Sequence, residues 1–251
     1  VLNLCITGTD TGIGKTQVTT ALLAALAARG LRVAGMKPVE TGITERHAGT
    51  DAARLHAAAG GLDAPRDVCP LTYEEPLAPL VAAERSGRPV DLAALDAARA
   101  RLLAGAPDGI VVEGAGGLLV PFTRALDFAG LARRWAADVV VVAGDRLGVL
   151  NHALLTVREA ERQGLRVRAV VLDALHPAPT DVAERTNLAV LASLRPDLPV
   201  LPFPFVPEAL RDDRAHLAAC GAPLVACLLG DVAPAPAPRA AAAAPVRSAA
   251  D

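Results

Sequence analysis

Aromatic residues are nearly missing from this chain: they make up 2% of its 251 positions, whereas hydrophobic residues make up 52%. A large core is still within reach at that length, and it must be assembled from Ala, Leu and Val. An excess of either charge is missing too, with 25 Lys and Arg against 27 Asp and Glu and a net charge of −2. No basic surplus remains to neutralise a nucleic-acid backbone, and no run of like charge suggests a tail that binds one. Cysteine is sparse: Cys5, Cys69, Cys220 and Cys227 form no Cys-x-x-Cys pair. That pattern reads as reduced thiols, against a disulfide or zinc framework. No apolar run reaches about 18 residues without a charge or a break, so no membrane span is expected. No signal region is expected either, because the first strand begins at once. Neither a Ser-His-Asp order nor a His-rich metal spacing appears, which argues against a hydrolase triad or a zinc site. The expectation is a soluble, cytoplasmic protein with no nucleic-acid or membrane partner.

What is present begins at the first residues. Positions 2–6 are mostly apolar and too few for a helix, as in a buried parallel strand. Gly8, Gly12 and Gly14 follow, then Lys15-Thr16 and a helical run over 17–29 that stops at Gly30. Strand, glycine loop, Gly-Lys-Thr and helix is the setting of a phosphate-binding P-loop. The glycines let successive N–H groups turn toward a phosphate, the helix adds its positive end, Lys15 adds a full charge, and the Thr16 hydroxyl can ligate magnesium. The spacing departs from the usual Gly, four residues, Gly-Lys-Ser/Thr: the first glycine should fall at Thr9 and sits one earlier, at Gly8. An ordinary glycine turn with a solvated lysine has the same local look, so the rest of the chain has to decide.

A second strand is expected over 32–36, delivering Lys37 and Thr41 at its carboxyl end. Thr50 and Asp51 open a helix over 52–59, and the proline-rich stretch 65–89 reads as loop with one short helix near 80–86. Asp91 caps a helix to Leu103, and strand 109–112 ends in Glu113-Gly114-Ala115-Gly116-Gly117. Asp127 caps a helix to Ala136. Strand 138–143 precedes Gly144 to Gly148 and a helix over 149–163. Strand 168–172 ends at Asp173, a helix runs from Thr180-Asp181 to about Leu194, and a short strand at 200–201 precedes Pro202. Strands alternating with helices, several of the strands wholly apolar, imply an α/β fold: a mostly parallel P-loop NTPase-like sheet, helices on both faces, right-handed crossovers. One domain is expected over 1–231. Residues 232–251 are almost all Ala and Pro. Ordering them would cost on the order of 30 kcal/mol at about 1.5 per residue with little area to bury, so disorder is expected there.

Ligands of an open parallel sheet sit beyond the carboxyl ends of its strands. That rule collects Gly8 to Thr16, Lys37 with Thr41, Glu113 with its glycines, 145–148, Asp173 and 202–205 around one crevice. A nucleoside triphosphate with its metal suits the collection. Lys15 and Lys37 can meet phosphate oxygens, and Thr16, Asp51 and Glu113 are oxygen donors of the kind magnesium prefers. An apolar strand followed directly by an acid is how many P-loop proteins hold the metal, which favours Glu113. Asp51 is also explicable as a helix-cap residue, and Lys37 alone as a strand-end lysine reaching for solvent. Gly148-Val149 at a helix start could offer free N–H groups to a carboxylate.

These segments resemble the dethiobiotin synthetase family. The likeness covers nearly the whole chain before the Ala/Pro tail: GTDTGIGKT at 8–16, with its extra residue, GMKPVETG at 35–42, EEPLAP at 74–79, VEGAGGLLVP at 112–121, GDRLGVLNHALLT at 144–156 and PFPF at 202–205. The resemblance implies ATP-dependent carboxylation and ring closure of 7,8-diaminononanoate with CO2, through a carbamate and its phosphoric anhydride. It implies Lys37 and Lys15 as catalytic groups and Mg2+ held by Thr16, Asp51 and Glu113. For the nucleotide it implies Gly12, Ile13, Gly14, Lys15, Thr16, Gln17, Asp51, Glu113, Gly114, Ala115, Gly116, Asp173, Ala174, Phe203, Pro204 and Phe205. For the diamine it implies Thr41 and Gly117, with Gly148, Val149, Leu150 and Asn151 reaching over from the partner of a homodimer. Two positions depart from the family. Arg146 replaces a common lysine, and Asp173 stands where better-known members carry Asn at the adenine edge. An ionised Asp only accepts hydrogen bonds, so guanine and cytosine nucleotides stay open as alternatives. The rival class is a switch-type P-loop ATPase whose nucleotide gates a protein partner; the absence of Gly-Gly-x-Gly-Lys speaks against it.

Overall fold

In the computed structural model, residues 2–44, 49–105 and 108–231 are described. The order is β1 (Leu2–Gly8), α1 (Lys15–Ala28), β2 (Val33–Met36), β3 (Val39–Thr41), α2 (Asp51–Ala58), α3 (Pro65–Val68), β4 (Leu71–Tyr73), α4 (Pro79–Ser86) and α5 (Leu92–Gly105). Then come β5 (Gly109–Gly117), β6 (Pro121–Thr123), β7 (Leu126–Asp127), α6 (Phe128–Arg134), β8 (Asp138–Asp145), α7 (Val149–Arg162), β9 (Val167–Ala174), α8 (Val182–Leu194), β10 (Val200–Phe203) and α9 (Arg214–Leu229).

The central strands read as unbroken apolar runs because both of their faces are buried. Along β1, Cys5 points into one core while Leu4 and Ile6 point into the other; Ile110 and Val112 oppose Val111 in β5, and Val139 and Val141 oppose Val140 and Val142 in β8. Helices α1, α2 and α9 supply the second core, and α5, α6 and α7 supply the first. The strands form a six-stranded sheet in the order β10-β9-β8-β1-β5-β2, parallel throughout. The expected α/β fold is therefore the observed one. No helix among the described residues is long and apolar enough to cross a membrane.

Three local expectations change. The stretch 65–89 is not loop plus a single helix: it holds α3 and also β4, which pairs in parallel with β3 through Glu40 and Thr72. Strands this short carry no readable alternation, and the prolines around β4 mask it further. Strands β5, β8 and β9 run on past their apolar stretches, so that Glu113 pairs with Ile6 and Asp173 with Gly144 inside the ladder. Helix α9 has no counterpart in the sequence reading. It is apolar all round and carries Pro223, so it lacks the one-faced periodicity that announces a surface helix. Its packing against α1 needs Gly221, where a Cβ would collide with the backbone of Ala21. The expected disorder of 232–251 lies outside the described residues.

Candidate active site

The loop between β1 and α1 is shaped by two glycines in the left-handed region, Gly12 at φ 72° and Gly14 at φ 90°. Gly14 also has no room for a side chain, because a Cβ there would collide with the Asp173 carboxylate. Lys15 opens α1 and is buried at 7% exposure. Its Nζ donates to Asp10 O at 2.7 Å, curling the side chain back over the loop. Asp10 in turn accepts from Thr11 N at 2.7 Å and from Arg146 Nη2 at 3.1 Å. Burial, helped by the nearby Lys37 charge, lowers the Lys15 pKa to about 8.

At the end of β2, Lys37 is held from three sides. Its Nζ donates to Glu113 Oε1 at 2.6 Å, to Asp51 Oδ2 at 2.9 Å and to Gly114 O at 3.4 Å. Burial works to lower its pKa, but the charges of Glu113 and Asp51 outweigh that and hold it above the ordinary lysine value. Asp51 behaves in the complementary way: burial would raise its pKa, yet Lys37 and Thr16 bring it below the usual carboxylate range. Glu113 is fully buried, accepts from Thr16 Oγ1 at 2.9 Å through Oε1, and leaves Oε2 buried with no protein partner. An oxygen of that kind suits a cation.

Lys15, Thr16, Lys37, Asp51 and Glu113 open on one cleft of about 870 Å³, which Gly12, Gly14, Gln17, Thr41, Ala115, Gly116, Asp173, Ala174 and Phe205 also line. Two carboxylates and a hydroxyl, with no larger His, Cys, Asp or Glu cluster among the described residues, fit magnesium, which keeps several waters and takes few protein ligands.

The other candidate residues are not among those lining this cleft. Ile13 and Phe203 are buried in the core at 3% exposure, and Pro204 is exposed. Gly114 backs onto the Phe128 ring, and Gly117 closes against Gly8 O. Gly148 caps α7 at φ 92°, Val149 is buried in the core at 2%, Leu150 is half-buried and Asn151 is exposed; none of the four lines this cleft.

Arg54 and Glu40 are among the cleft residues that escaped the sequence reading. Arg54 lies one turn beyond Asp51, on the same face of α2; it donates to Gln17 Oε1 and Arg211 O, both at 3.0 Å, and pairs with Asp212. It thereby ties α2 to Arg211, which also lines the cleft. Glu40 sits inside the quoted 35–42 segment, and its carboxylate caps α2. The i, i+3 spacing from Asp51 was a signal for Arg54; for Glu40 there was none.

Asp173, at 7% exposure, has its pKa raised by burial to about 7. A carboxyl with a raised folded pKa favours folding at low pH, and that advantage disappears as pH rises from about 4 through about 7. Asp173→Asn should therefore raise the melting temperature at pH 8 and leave it almost unchanged at pH 4. Melting curves at the two values check this, and an equal shift at both would contradict it.

The sheet, the loop and the paired lysine–carboxylate crevice define a P-loop nucleotide-binding protein. The AAA domain family model matches residues 3–202. The chain is 43% identical to the ATP-dependent dethiobiotin synthetase BioD of Anaeromyxobacter dehalogenans (strain 2CP-C), over 84% of this chain and 94% of that one. It is 41% identical to the protein of the same name from Xylella fastidiosa (strain 9a5c), over 76% and 84%. It belongs to the dethiobiotin synthetase family. Among solved structures, the MinC:MinD cell division protein complex of Aquifex aeolicus shares its fold, with a TM-score of 0.55 at 14% identity over 93% of this chain and 98% of that one.

Proposed function

We propose that the protein is an ATP-dependent cyclo-ligase that joins 7,8-diaminononanoate and CO2 into dethiobiotin, releasing ADP and phosphate. The observation that carries this reading is the position of Lys37, 2.6 and 2.9 Å from Glu113 and Asp51, in the cleft that Lys15 and Thr16 share. One substrate amine adds to CO2 and gives up a proton to solvent, forming a carbamate. A carbamate oxygen attacks the γ-phosphorus of ATP and ADP departs. The second amine attacks the carbonyl carbon of the resulting anhydride, expels phosphate and closes the cyclic urea.

Nothing in this sequence needs a covalent bond to the protein, only placement and charge compensation. Lys37, kept protonated by its two carboxylates, serves the carbamate and the charge that develops during transfer. Lys15 leaves Asp10 O for the β- and γ-phosphates, and Thr41 contacts the diamine. Thr16, Asp51 and Glu113 would hold Mg2+, which when bound neutralises phosphate charge. Gly148 to Asn151 are assigned to the carboxylate of a substrate in the partner subunit of a homodimer. Exposed Leu147 (80%) and Leu155 (58%) beside them support that assignment. The switch-type reading has nothing in its favour beyond the shared fold.

The test is incubation with the diamine, bicarbonate, Mg2+ and each nucleoside triphosphate in turn. Phosphate release should depend on the diamine and match the ureido product; release that ignores the diamine would overturn the reading. We assign the activity to residues 1–231, so a chain ending at Asp231 should keep both the rate and the melting temperature. A large loss of either would place part of the working domain beyond it.

A further inference from the structure

The tie between β3 and α2 has no place in the chemistry above. Glu40 is an acid at 6% exposure that lines the cleft, and its carboxylate meets the first turn of α2. Oε1 accepts from the backbone N–H of Asp51 at 2.7 Å, and Oε2 from that of Ala52 at 3.3 Å. Thr50 Oγ1 accepts from Ala53 N at 3.2 Å. The first amides of a helix have no acceptor within it; here three are supplied, two of them by a strand residue eleven positions upstream. The strand side of the tie is itself fixed, because Glu40 pairs with Thr72 in the β3–β4 ladder. Lys37 and Glu40 are three residues apart, so one short stretch carries the ammonium and also sets the backbone that carries its partner, Asp51.

The geometry points to Glu40 as the positioning residue for Asp51: it pins the amide of Asp51 so that the carboxylate meets Lys37 and the metal of the nucleotide. The inference rests on the reading of Asp51 as an oxygen donor toward that metal. A negative group at a helix start is favoured by the dipole, which offsets the proximity of two acids. Removing the tie frees the start of α2, and the oxygen donor set loses its fixed geometry even though every donor is still present. Groups that orient metal-binding side chains in this way are typically worth about 10- to 100-fold in metal affinity.

The experiment measures Mn2+ affinity by electron paramagnetic resonance, with ATP present and diamine absent, for the wild type and for Glu40→Ala, Glu40→Gln and Thr50→Ala. Glu40→Ala should weaken Mn2+ by about 10-fold or more, and Glu40→Gln, which keeps one acceptor, by less. Thr50→Ala removes the neighbouring cap of the same helix; it should lower the melting temperature and leave Mn2+ affinity at the wild-type level. Wild-type affinity in Glu40→Ala, or equal weakening in Thr50→Ala, would show that Glu40 only stabilises the helix. If Glu40→Ala does not fold, wild-type affinity in Glu40→Gln overturns the inference instead. Failure of the wild-type protein itself to bind Mn2+ with ATP would overturn the donor set, and this inference with it.

Discussion

Lys37→Ala should lower turnover by on the order of 10³-fold or more while the chain still folds. A single preorganised donor at a developing charge is typically worth about 10²- to 10³-fold, and Lys37 is assigned two such duties, one to the carbamate and one to the phosphoryl group in transfer. The geometry adds a consequence for stability. Glu113 has no solvent exposure and keeps only the Thr16 hydroxyl once the lysine is gone. Removing one partner of a buried pair leaves an uncompensated charge, at a cost of about 3–5 kcal/mol. Asp51, at 38% side-chain exposure, is largely rehydrated and adds little to that cost. The variant should therefore melt well below the wild type, and Mg2+ should restore part of the loss by taking the place of the ammonium as counter-charge. Turnover is read from phosphate and ureido product, and stability from melting curves with and without Mg2+. A near-wild-type rate would remove Lys37 from the mechanism, and a melting temperature blind to Mg2+ would remove Glu113 from the metal's donors.

Lys15→Ala should cost at least about 10²-fold in kcat/KM, with much of the loss in KM for the nucleotide. This ammonium spends its charge on a backbone carbonyl, and burial, helped by the nearby Lys37 charge, lowers its pKa to about 8. A phosphate oxygen is a better acceptor than Asp10 O, so binding favours the protonated form and raises that pKa. The sign of the pH dependence follows. Below about pH 8 the lysine is already charged and affinity is flat. Above it, binding must first recover a proton, so affinity should fall, by up to about tenfold per pH unit. In Lys15→Ala the fall should vanish along with most of the affinity. Calorimetric titration of both proteins with ATP between pH 6.5 and 9.5 separates the two effects. A wild-type profile without a break near pH 8, or an alanine variant that keeps the break, would assign the titration to another group.

Much of the site was legible because strand ends are where chain order and chemistry coincide. Lys37 and Glu113 each follow a short apolar run, Lys15 ends the glycine loop behind another, and the rule that ligands gather beyond such runs collects them without any distance being known. Asp51 was legible as an oxygen donor as well as a helix start; its pairing with Lys37, whose Nζ lies 2.9 Å from it, was not. Glu40 was not visible at all. Its two hydrogen bonds run between a three-residue strand and a helix, and neither element announces the other. Helix α9 was lost for a different reason: its exposed face carries Ala215, Ala219, Ala222 and Pro223 in place of polar residues, so no period shows.

By itself the sequence determined the fold class, the order of the main strands along the chain, the phosphate loop and the identity of the charged groups that converge. These follow from local rules, since an unbroken apolar run, a glycine-rich loop and a charged residue just beyond a strand act over a few residues. The tertiary structure alone decided the spatial strand order and which oxygen faces which cation, and it set the pKa values of Lys15 and Asp173. Each of those depends on burial and on partners far away in the chain: Lys37 meets Glu113 from 76 positions away. Pattern within a short window cannot carry that distance.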